Sequence, residues 1–217
     1  PSVTGAAAAA ITKNIAIRAG SCVAPLHHPA RIAEEWAVID NLTNGRAALG
    51  IASGWQPHDF VLRPENTPPN NKSVMYDAID KLRALWRGEE VAFPMADGTE
   101  HKVLTQPRPV SKELAIWVTT AGNPDTWREA GEIGANVLTH LLGQSVDEVG
   151  DKIKIGERVS AGDDSDDDDE STPIDAFDET PVRVIGSASF ARLGDVMRAA
   201  GRGSLQILET DHELQNG

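Results

Sequence analysis

The sequence predicts an α/β fold in which the strands of a parallel sheet alternate with helices. The segment 46–52 is almost entirely apolar, as expected for a parallel strand that is covered on both faces. Before it, apolar residues at helical spacing predict a helix over 30–42, with its stop at Asn44-Gly45. Together with an earlier segment over 14–24 that is rich in β-forming residues, this pattern predicts a right-handed βαβ unit.

The same alternation continues along the rest of the chain. A helix over 2–12 leads into the first strand, and a capping box of Ser145 and Glu148 marks the start of the last helix. After the second strand, the sequence predicts a loop to Asn71, a helix over 73–86 and a hairpin over 90–105 that turns at Asp97-Gly98. It then predicts a strand over 114–119, a helix ending near Ile133, a strand over 134–139 and the final helix over 145–154. The predicted core is therefore four strands alternating with helices.

A strongly acidic segment divides the chain into three expected regions. Ten acidic residues and no basic residue lie between Asp163 and Glu179, and the net charge of −13 becomes −3 without them. Such a segment has too few apolar residues to build a core, which predicts disorder. We therefore expect a partial α/β domain over 1–156, an acidic disordered linker over 157–181 and a weakly ordered tail over 182–217.

The composition argues against a nucleic-acid-binding protein and against a membrane-spanning protein. The nearly balanced charge outside the acidic segment offers no basic face for nucleic acid, and no apolar run approaches the ~18 residues of a membrane span. The lone cysteine, Cys22, cannot form an internal disulfide, which favours a cytoplasmic protein, and its place in a strand favours packing over nucleophilic chemistry. Because the chain begins with Pro1 rather than methionine, we expect a piece of a longer reading frame or a processed product.

The clearest candidate site lies where the third predicted strand gives way to a helix, since ligands of parallel α/β sheets gather at the carboxyl ends of strands. The motif there is Gly122-Asn123-Pro124-Asp125-Thr126. The glycine permits close approach of the backbone, Asn123 suits a helix cap, and Thr126 offers a hydroxyl beside unpaired amides. This pattern predicts either a phosphate-binding turn or ordinary helix capping, and the motif alone does not separate the two.

The other strand ends carry weaker signals. His27 and His28 are adjacent and have no further ligand at metal-binding spacing, so no metal site is predicted there. His58 and Asp59 have the order of a base and its orienting carboxylate, but loop capping is favoured because no nucleophile motif accompanies them. Trp55 follows a strand end and is a candidate for lining a pocket.

Four segments carry a resemblance to a known family. In chain order they are IRAGSCVAPLHHPARIAEEW (17–36), DNLTNGR (40–46), ASGWQPHDF (52–60) and TAGNPDT (120–126). Together they closely resemble the bacterial-luciferase-like flavin monooxygenases, with luciferase-like domains found in or beside nonribosomal peptide and polyketide synthases as the nearest subgroup. The resemblance runs from Pro1 to about Lys154.

The resemblance implies a partial TIM-like (βα)8 barrel with about four matching units, the third to the sixth. It implies FMN as the cofactor, lying across the carboxyl ends of the strands, with a deazaflavin as the less favoured alternative. In this family, reduced FMN and O2 form a flavin C4a-hydroperoxide that inserts one oxygen atom into a small-molecule substrate. The implied protein partners are a flavin reductase and either further copies of the chain or a larger synthase.

The same resemblance assigns cofactor contacts to three places, each at the end of a strand. The first is a bulge with a non-prolyl cis peptide beneath the isoalloxazine ring, the second borders the flavin, and the third is the phosphate-binding turn. The implied residues are, in this order, Gly20 and Ser21, then Ser53, Gly54 and Trp55, then Gly122, Asn123 and Thr126. The family's histidine-bearing active-site loop would lie before Pro1, so no catalytic residue is assigned.

Two hypotheses about function follow. The first is an FMN-dependent monooxygenase of the luciferase type, present here as a fragment or a degraded copy. The second is a non-catalytic module that binds flavin or promotes oligomerisation.

Overall fold

The structure is a computed structural model, and it describes residues 1–162. The predictions of a disordered acidic segment and of a weakly ordered tail over 182–217 fall outside the described residues. The chain divides into two compact units, Pro1–Trp117 and a second unit that begins at Val118. The predicted α/β class with a parallel sheet is confirmed.

The first unit contains the predicted succession of helices and strands. The loop between Ala52 and Asn71 forms two short 3-10 helices, Pro57–Leu62 and Pro64–Asn66. The elements of this unit are α1 (Ser2–Ile11), β1 (Ile17–Arg18), β2 (Cys22–Val23), α2 (Pro29–Thr43), β3 (Ala47–Ala52), α3 (Asn71–Arg87), β4 (Val91–Pro94), β5 (Glu100–Val103) and the first half of β6 (Ile116–Thr119).

The second unit continues from the end of β6 through α4 (Pro124–Glu132), β7 (Asn136–Leu138) and α5 (Val146–Ser160). The predicted capping box at Ser145 and Glu148 is present at the start of α5. The helix runs six residues past its predicted end at Lys154, so residues 157–160, which the sequence assigned to the linker, are helical. Gly156 lies inside this helix and is buried, and a Cβ on it would lie 3.3 Å from the backbone carbonyl oxygen of Trp127 in α4.

The main sheet has the strand order β1, β3, β6, β7, and β2 pairs with β3 beside β1. Both β1 and β2 run parallel to β3, whose residues are buried over nearly its whole length. The separate β4–β5 hairpin is antiparallel and turns at Gly98, where φ is +84°, as the Asp97-Gly98 pair predicted.

The predicted first strand over 14–24 is not continuous, and the pairing register shows why. Arg18 pairs with Ala48, whereas Cys22, four residues later, pairs with Ile51, only three residues later on β3. One extra residue is therefore accommodated between β1 and β2, which defines a β-bulge. The peptide bond between Gly20 and Ser21 within this bulge is cis, as the resemblance implied.

Two helices of the first unit bury the apolar faces that the sequence predicted. In α2 the buried side chains include Ile32, Trp36 and Ile39, and in α3 they follow the same helical spacing. The α2 helix ends at Asn44, which adopts the left-handed conformation with φ of 54°. None of the helices over 1–162 combines the length and the apolar character that crossing a bilayer requires.

Candidate cofactor site

The ring-binding residues predicted in the first unit lie beside the bulge and at the end of β3. Because β2 and β3 are parallel and Val23 pairs with Ala52, the chain leaves both strands at the same edge of the sheet. Gly54 is packed so closely there that a Cβ on it would lie 2.8 Å from Cγ1 of Val23 and 3.2 Å from the ring of Phe60. The structure therefore brings the end of β2 and the Ser53-Gly54 segment into direct contact.

The surface over the bulge is open. Gly20 is exposed, and apart from its chain neighbours no described residue comes within 4 Å of the position that a Cβ on Gly20 would take. Trp55, at the end of the neighbouring strand, leaves 81% of its surface exposed. An exposed glycine in the bulge and an exposed indole after the neighbouring strand are each suited to contact with a planar aromatic ligand such as an isoalloxazine ring.

Two asparagines fix the backbone of the loops around this surface. Nδ2 of Asn71 donates hydrogen bonds to the carbonyl oxygens of Ser53, at 3.3 Å, and Gly54, at 2.8 Å. Nδ2 of the buried Asn66 donates to the carbonyl oxygen of Pro25 at 2.6 Å. The loops that follow β2 and β3 are therefore held in place by side chains that the sequence analysis did not single out.

Cys22 lies in β2, and the histidine pair lies directly before α2. Cys22 is buried, and this burial raises the pKa of its thiol to about 11, which disfavours the thiolate. Within residues 1–162, no three histidine, cysteine, aspartate or glutamate side chains converge on a place that could hold a metal ion.

His28 instead has a structural role at the start of α2. Its Nδ1 accepts a hydrogen bond from the N–H of Ala30 at 3.3 Å, and its ring packs against Phe93 of β4 with the ring centroids 4.5 Å apart. Burial lowers the pKa of His28, and the positive charges of Arg63 and Lys81 lower it further. The folded chain therefore favours the neutral ring, whose Nδ1 can accept the capping hydrogen bond.

The free energy of unfolding is expected to decrease as the pH falls below about 6.5, because the unfolded chain then binds a proton on His28 that the folded chain does not bind. The stabilisation that neutral His28 contributes is complete above the pKa of His28 in the unfolded chain. It is lost as the pH falls towards the pKa of His28 in the folded chain. Asparagine can still cap the helix, so His28→Asn should flatten this part of a pH series of urea denaturation curves. His101→Asn, at an exposed position in β5, is the control, and an unchanged slope in His28→Asn would contradict the prediction.

The phosphate-binding turn predicted in the second unit lies directly before α4. Oδ1 of Asn123 accepts a hydrogen bond from the N–H of Asp125 at 3.0 Å, and Pro124 occupies the first helical position. Thr126 is buried, and its N–H donates to the carbonyl oxygen of Asn123 at 3.2 Å. The predicted helix cap is therefore present, and Gly122 lies immediately outside it.

A lysine that the sequence analysis missed lies next to this turn. Nζ of Lys152 is 3.8 Å from the position that a Cβ on Gly122 would take, and it donates to Oε1 of Gln144 at 2.9 Å. Nε2 of Gln144 in turn donates to Oγ1 of Thr139 at 2.9 Å and to the carbonyl oxygen of His140. The hydroxyl of Thr139 donates to the carbonyl oxygen of Ala121 at 3.3 Å, so the network returns to the residue before the turn.

This arrangement concentrates positive charge at one end of α4. The amide end of a helix carries a partial positive charge, and an ammonium group beside it adds a full one. An anion placed over Gly122 would be attracted by both, and the missing side chain of the glycine leaves room for it. The donor set therefore fits a phosphate group.

The chain is similar in sequence to proteins of a known family. The luciferase-like monooxygenase family profile matches residues 1–170. The 4-hydroxyprotoasukamycin monooxygenase of Streptomyces nodosus subsp. asukaensis is 30% identical over 155 residues, which is 69% of this chain and 42% of that protein. The oxygenase component of the flavin-dependent trigonelline monooxygenase of Acinetobacter baylyi is 30% identical over 145 residues, which is 64% of this chain and 38% of that protein. The chain thus spans less than half of the length of these relatives.

Solved structures share the fold at lower identity. Monooxygenase RslO1 from Streptomyces bottropensis has a TM-score of 0.67 at 22% identity, covering 94% of this chain and 61% of that one. The oxygenating constituent of 3,6-diketocamphane monooxygenase from Pseudomonas putida, in complex with FMN, has a TM-score of 0.65 at 20% identity, covering 85% and 51%. An F420-dependent secondary alcohol dehydrogenase has a TM-score of 0.63 at 18% identity, covering 83% and 51%.

These likenesses confirm the prediction of a partial TIM-like barrel. They concern the fold alone, whereas the family profile covers more than three quarters of the sequence. On that match, this chain belongs to the luciferase-like monooxygenase family.

Proposed function

We propose that this chain is the flavin-binding part of an FMN-dependent monooxygenase, which uses reduced flavin and O2 to oxygenate a small molecule. The observation that supports this most directly is the ammonium of Lys152 beside Gly122 at the amide end of α4. A positive site of this kind suits the phosphate of a flavin mononucleotide, and it lies in the segment that the family resemblance marks for that phosphate. When bound, FMN supplies the reaction with O2, while the protein binds and orients it.

The proposed contacts follow the two groups of residues described above. The phosphate binds at the turn before α4, where the network through Gln144 holds the Lys152 side chain in position. The isoalloxazine ring binds over the bulge and beside the end of β3. The residues proposed for these roles are Gly20, Ser21, Ser53, Gly54 and Trp55 for the ring and Gly122, Asn123 and Thr126 for the phosphate.

FMN is proposed in preference to a deazaflavin because the relatives of highest identity described above are named as monooxygenases. A titration of the purified chain with each cofactor tests this choice. We expect FMN fluorescence to be quenched on binding and the deazaflavin to bind at least tenfold more weakly. Preferential binding of the deazaflavin would overturn the choice of cofactor, and binding of neither would overturn the proposed function of this chain.

Lys152→Met is expected to weaken FMN binding by about tenfold or more, since a hydrogen bond to a charged group contributes roughly 1.5–3 kcal/mol. Lys154→Met is the matched control, because Lys154 lies on the same helix but is exposed and paired with Asp151 at 3.2 Å. Dissociation constants from fluorescence titration, measured for both variants, check the prediction. Equal affinities of the two variants would argue against Lys152 as a phosphate ligand.

A separate reductase is proposed as the source of reduced flavin. The trigonelline relative is named as the oxygenase component of a flavin-dependent monooxygenase, and a comparable division of labour would suit a chain that binds flavin. Substrate oxygenation by the chain, supplied with NADH and an added flavin reductase, would support this arrangement. Oxygenation that proceeds from NADH without any reductase would contradict it.

A further inference from the structure

The amino group of Lys152 borders the space over Gly122, where the phosphate of FMN is proposed to bind. Nζ of Lys152 is 3.8 Å from the position that a Cβ on Gly122 would take, and it donates a hydrogen bond to Oε1 of Gln144 at 2.9 Å. The amide of Gln144 carries no charge, so this bond orients the amino group without neutralising it. A half-buried lysine is thereby held at the edge of a space suited to an anion.

The other lysine of α5 has different surroundings. Lys154 lies two residues further along the helix, its side chain is 57% exposed, and its Nζ is 3.2 Å from Oδ1 of Asp151. Residues two apart on a helix do not face each other, so Lys154 projects from a different side of α5 than Lys152 does. One helix thus carries the same chemical group in two settings, one beside the proposed phosphate site and one paired at the surface.

A primary amine beside a phosphate site is placed to react with acyl phosphates. Such a molecule carries an electrophilic carbonyl carbon, which is joined to its phosphorus through one oxygen atom. A phosphate held over Gly122 would bring that carbon to Nζ of Lys152, and holding two reactants together strongly accelerates their reaction. The partial positive charge at the amide end of α4 would also stabilise the phosphate group as it leaves.

We propose that Lys152 is an acylation site, at which a small acyl phosphate such as acetyl phosphate binds over Gly122 and transfers its acyl group to Nζ. The neutral amine attacks the carbonyl carbon, and the bond from that carbon to the bridging oxygen breaks. Inorganic phosphate leaves with the bonding electron pair, and the proton of the amine passes to the solvent.

Acylation of Lys152 would regulate the binding of the flavin. The product is an amide without charge, and its acyl group lies in the space that the phosphate of FMN would need. A chain acylated at this position should therefore bind FMN poorly. The inference rests on the proposed function, because the modified residue belongs to the same phosphate site.

Treatment of the purified chain with acetyl phosphate, followed by peptide mapping in a mass spectrometer, tests the proposal. We expect Lys152 to be acetylated at least about tenfold faster than Lys154, because the bound phosphate holds the acyl group beside it. Acetic anhydride, which carries no phosphate, is the control reagent and should show no preference for Lys152. Saturating FMN or inorganic phosphate should suppress the acetylation of Lys152 by acetyl phosphate and leave that of Lys154 unchanged.

Two variants test the effect on flavin binding. Lys152→Gln mimics the uncharged product and should bind FMN about tenfold more weakly, whereas Lys152→Arg keeps the charge and should bind within about threefold of the unaltered chain. The arginine is not acylated under these conditions, so its affinity for FMN should survive treatment with acetyl phosphate, and that of the unaltered chain should fall. An unchanged affinity in the chain that is fully acetylated at Lys152 would overturn the regulatory role.

The outcomes separate this proposal from the proposed function. Equal rates at Lys152 and Lys154 with acetyl phosphate, or the same preference with acetic anhydride, would overturn acylation guided by phosphate and leave flavin binding standing. If the untreated chain does not bind FMN, the proposed function fails. Selective acetylation of Lys152 that inorganic phosphate suppresses would still support the acylation site in that case.

Discussion

Replacing Gly54 by alanine is expected to lower the free energy of unfolding by roughly 2–5 kcal/mol, the largest effect of any substitution considered for this chain. The φ angle of +78° at Gly54 costs an L-residue about 1–2 kcal/mol. In addition, the new Cβ would meet Val23 at 2.8 Å and Phe60 at 3.2 Å, and such overpacking typically costs about 1–3 kcal/mol. Urea denaturation followed by circular dichroism measures the change.

Gly98→Ala separates the two causes. Gly98 also has a positive φ, of +84°, but apart from its chain neighbours no described residue comes within 4 Å of the position that a Cβ on it would take. We expect this control to lose only the conformational part, about 1–2 kcal/mol. If Gly54→Ala lowers the free energy of unfolding by no more than Gly98→Ala does, the close contact between the end of β2 and the Ser53-Gly54 segment does not stabilise this edge of the sheet. Because the proposed ring-binding residues lie at that edge, Gly54→Ala should also abolish FMN binding at concentrations where the unaltered chain is saturated.

Gly131→Ala is expected to destabilise the second unit by about 1–3 kcal/mol, although alanine is the better helix former by about 1 kcal/mol. A Cβ on Gly131 of α4 would overlap the carbonyl oxygen of Gly156 in α5, and backbone atoms cannot rotate away as a side chain can. The two helices would have to move apart, which would also displace Lys152. Thermal and urea denaturation should therefore show a loss of stability, accompanied by weaker FMN binding.

Glu132→Ala is the control for this prediction, since it introduces the same residue at the exposed neighbouring position of α4. It should change stability by less than about 0.5 kcal/mol, as surface substitutions usually do. An increase in stability in Gly131→Ala would show that helix propensity outweighs the contact and that the two helices do not pack through their glycines.

The parts of the fold that the sequence predicted are those specified by local signals. The Asn44-Gly45 stop of α2, the Asp97-Gly98 turn and the Ser145–Glu148 capping box each depend on residues within one turn of each other, and all three are present. The apolar run of β3 and the helical spacing in α2 and α3 are likewise local patterns. Their burial follows from hydrophobicity alone, so the class of fold could be predicted before the arrangement of its parts.

The parts that the sequence could not predict depend on contacts between distant residues. The segment 14–24 is rich in β-forming residues throughout, and only its register against β3 shows that the bulge divides it. Glycine often follows the last residue of a helix, but Gly156 lies inside α5, where it is buried next to the backbone of Trp127. Lys152 reaches Gly122 from 30 positions along the sequence, and no local pattern marks it as part of the turn.

The same distinction between local signals and distant contacts applies to the residues of the candidate site. The Asn123 cap was predicted because it needs only its own helix, whereas Asn66 and Asn71 hold loops that begin far from them in sequence.

The exposure of Trp55 gives this chain a built-in optical reporter. All five tryptophans belong to the described residues, and Trp36, Trp86, Trp117 and Trp127 are each at most 6% exposed, compared with 81% for Trp55. Collisional quenchers such as iodide will therefore quench the fluorescence of Trp55 selectively, without any label or engineered residue. Shielding of that emission by an added molecule would report contact at the end of β3 directly, whether or not any turnover takes place.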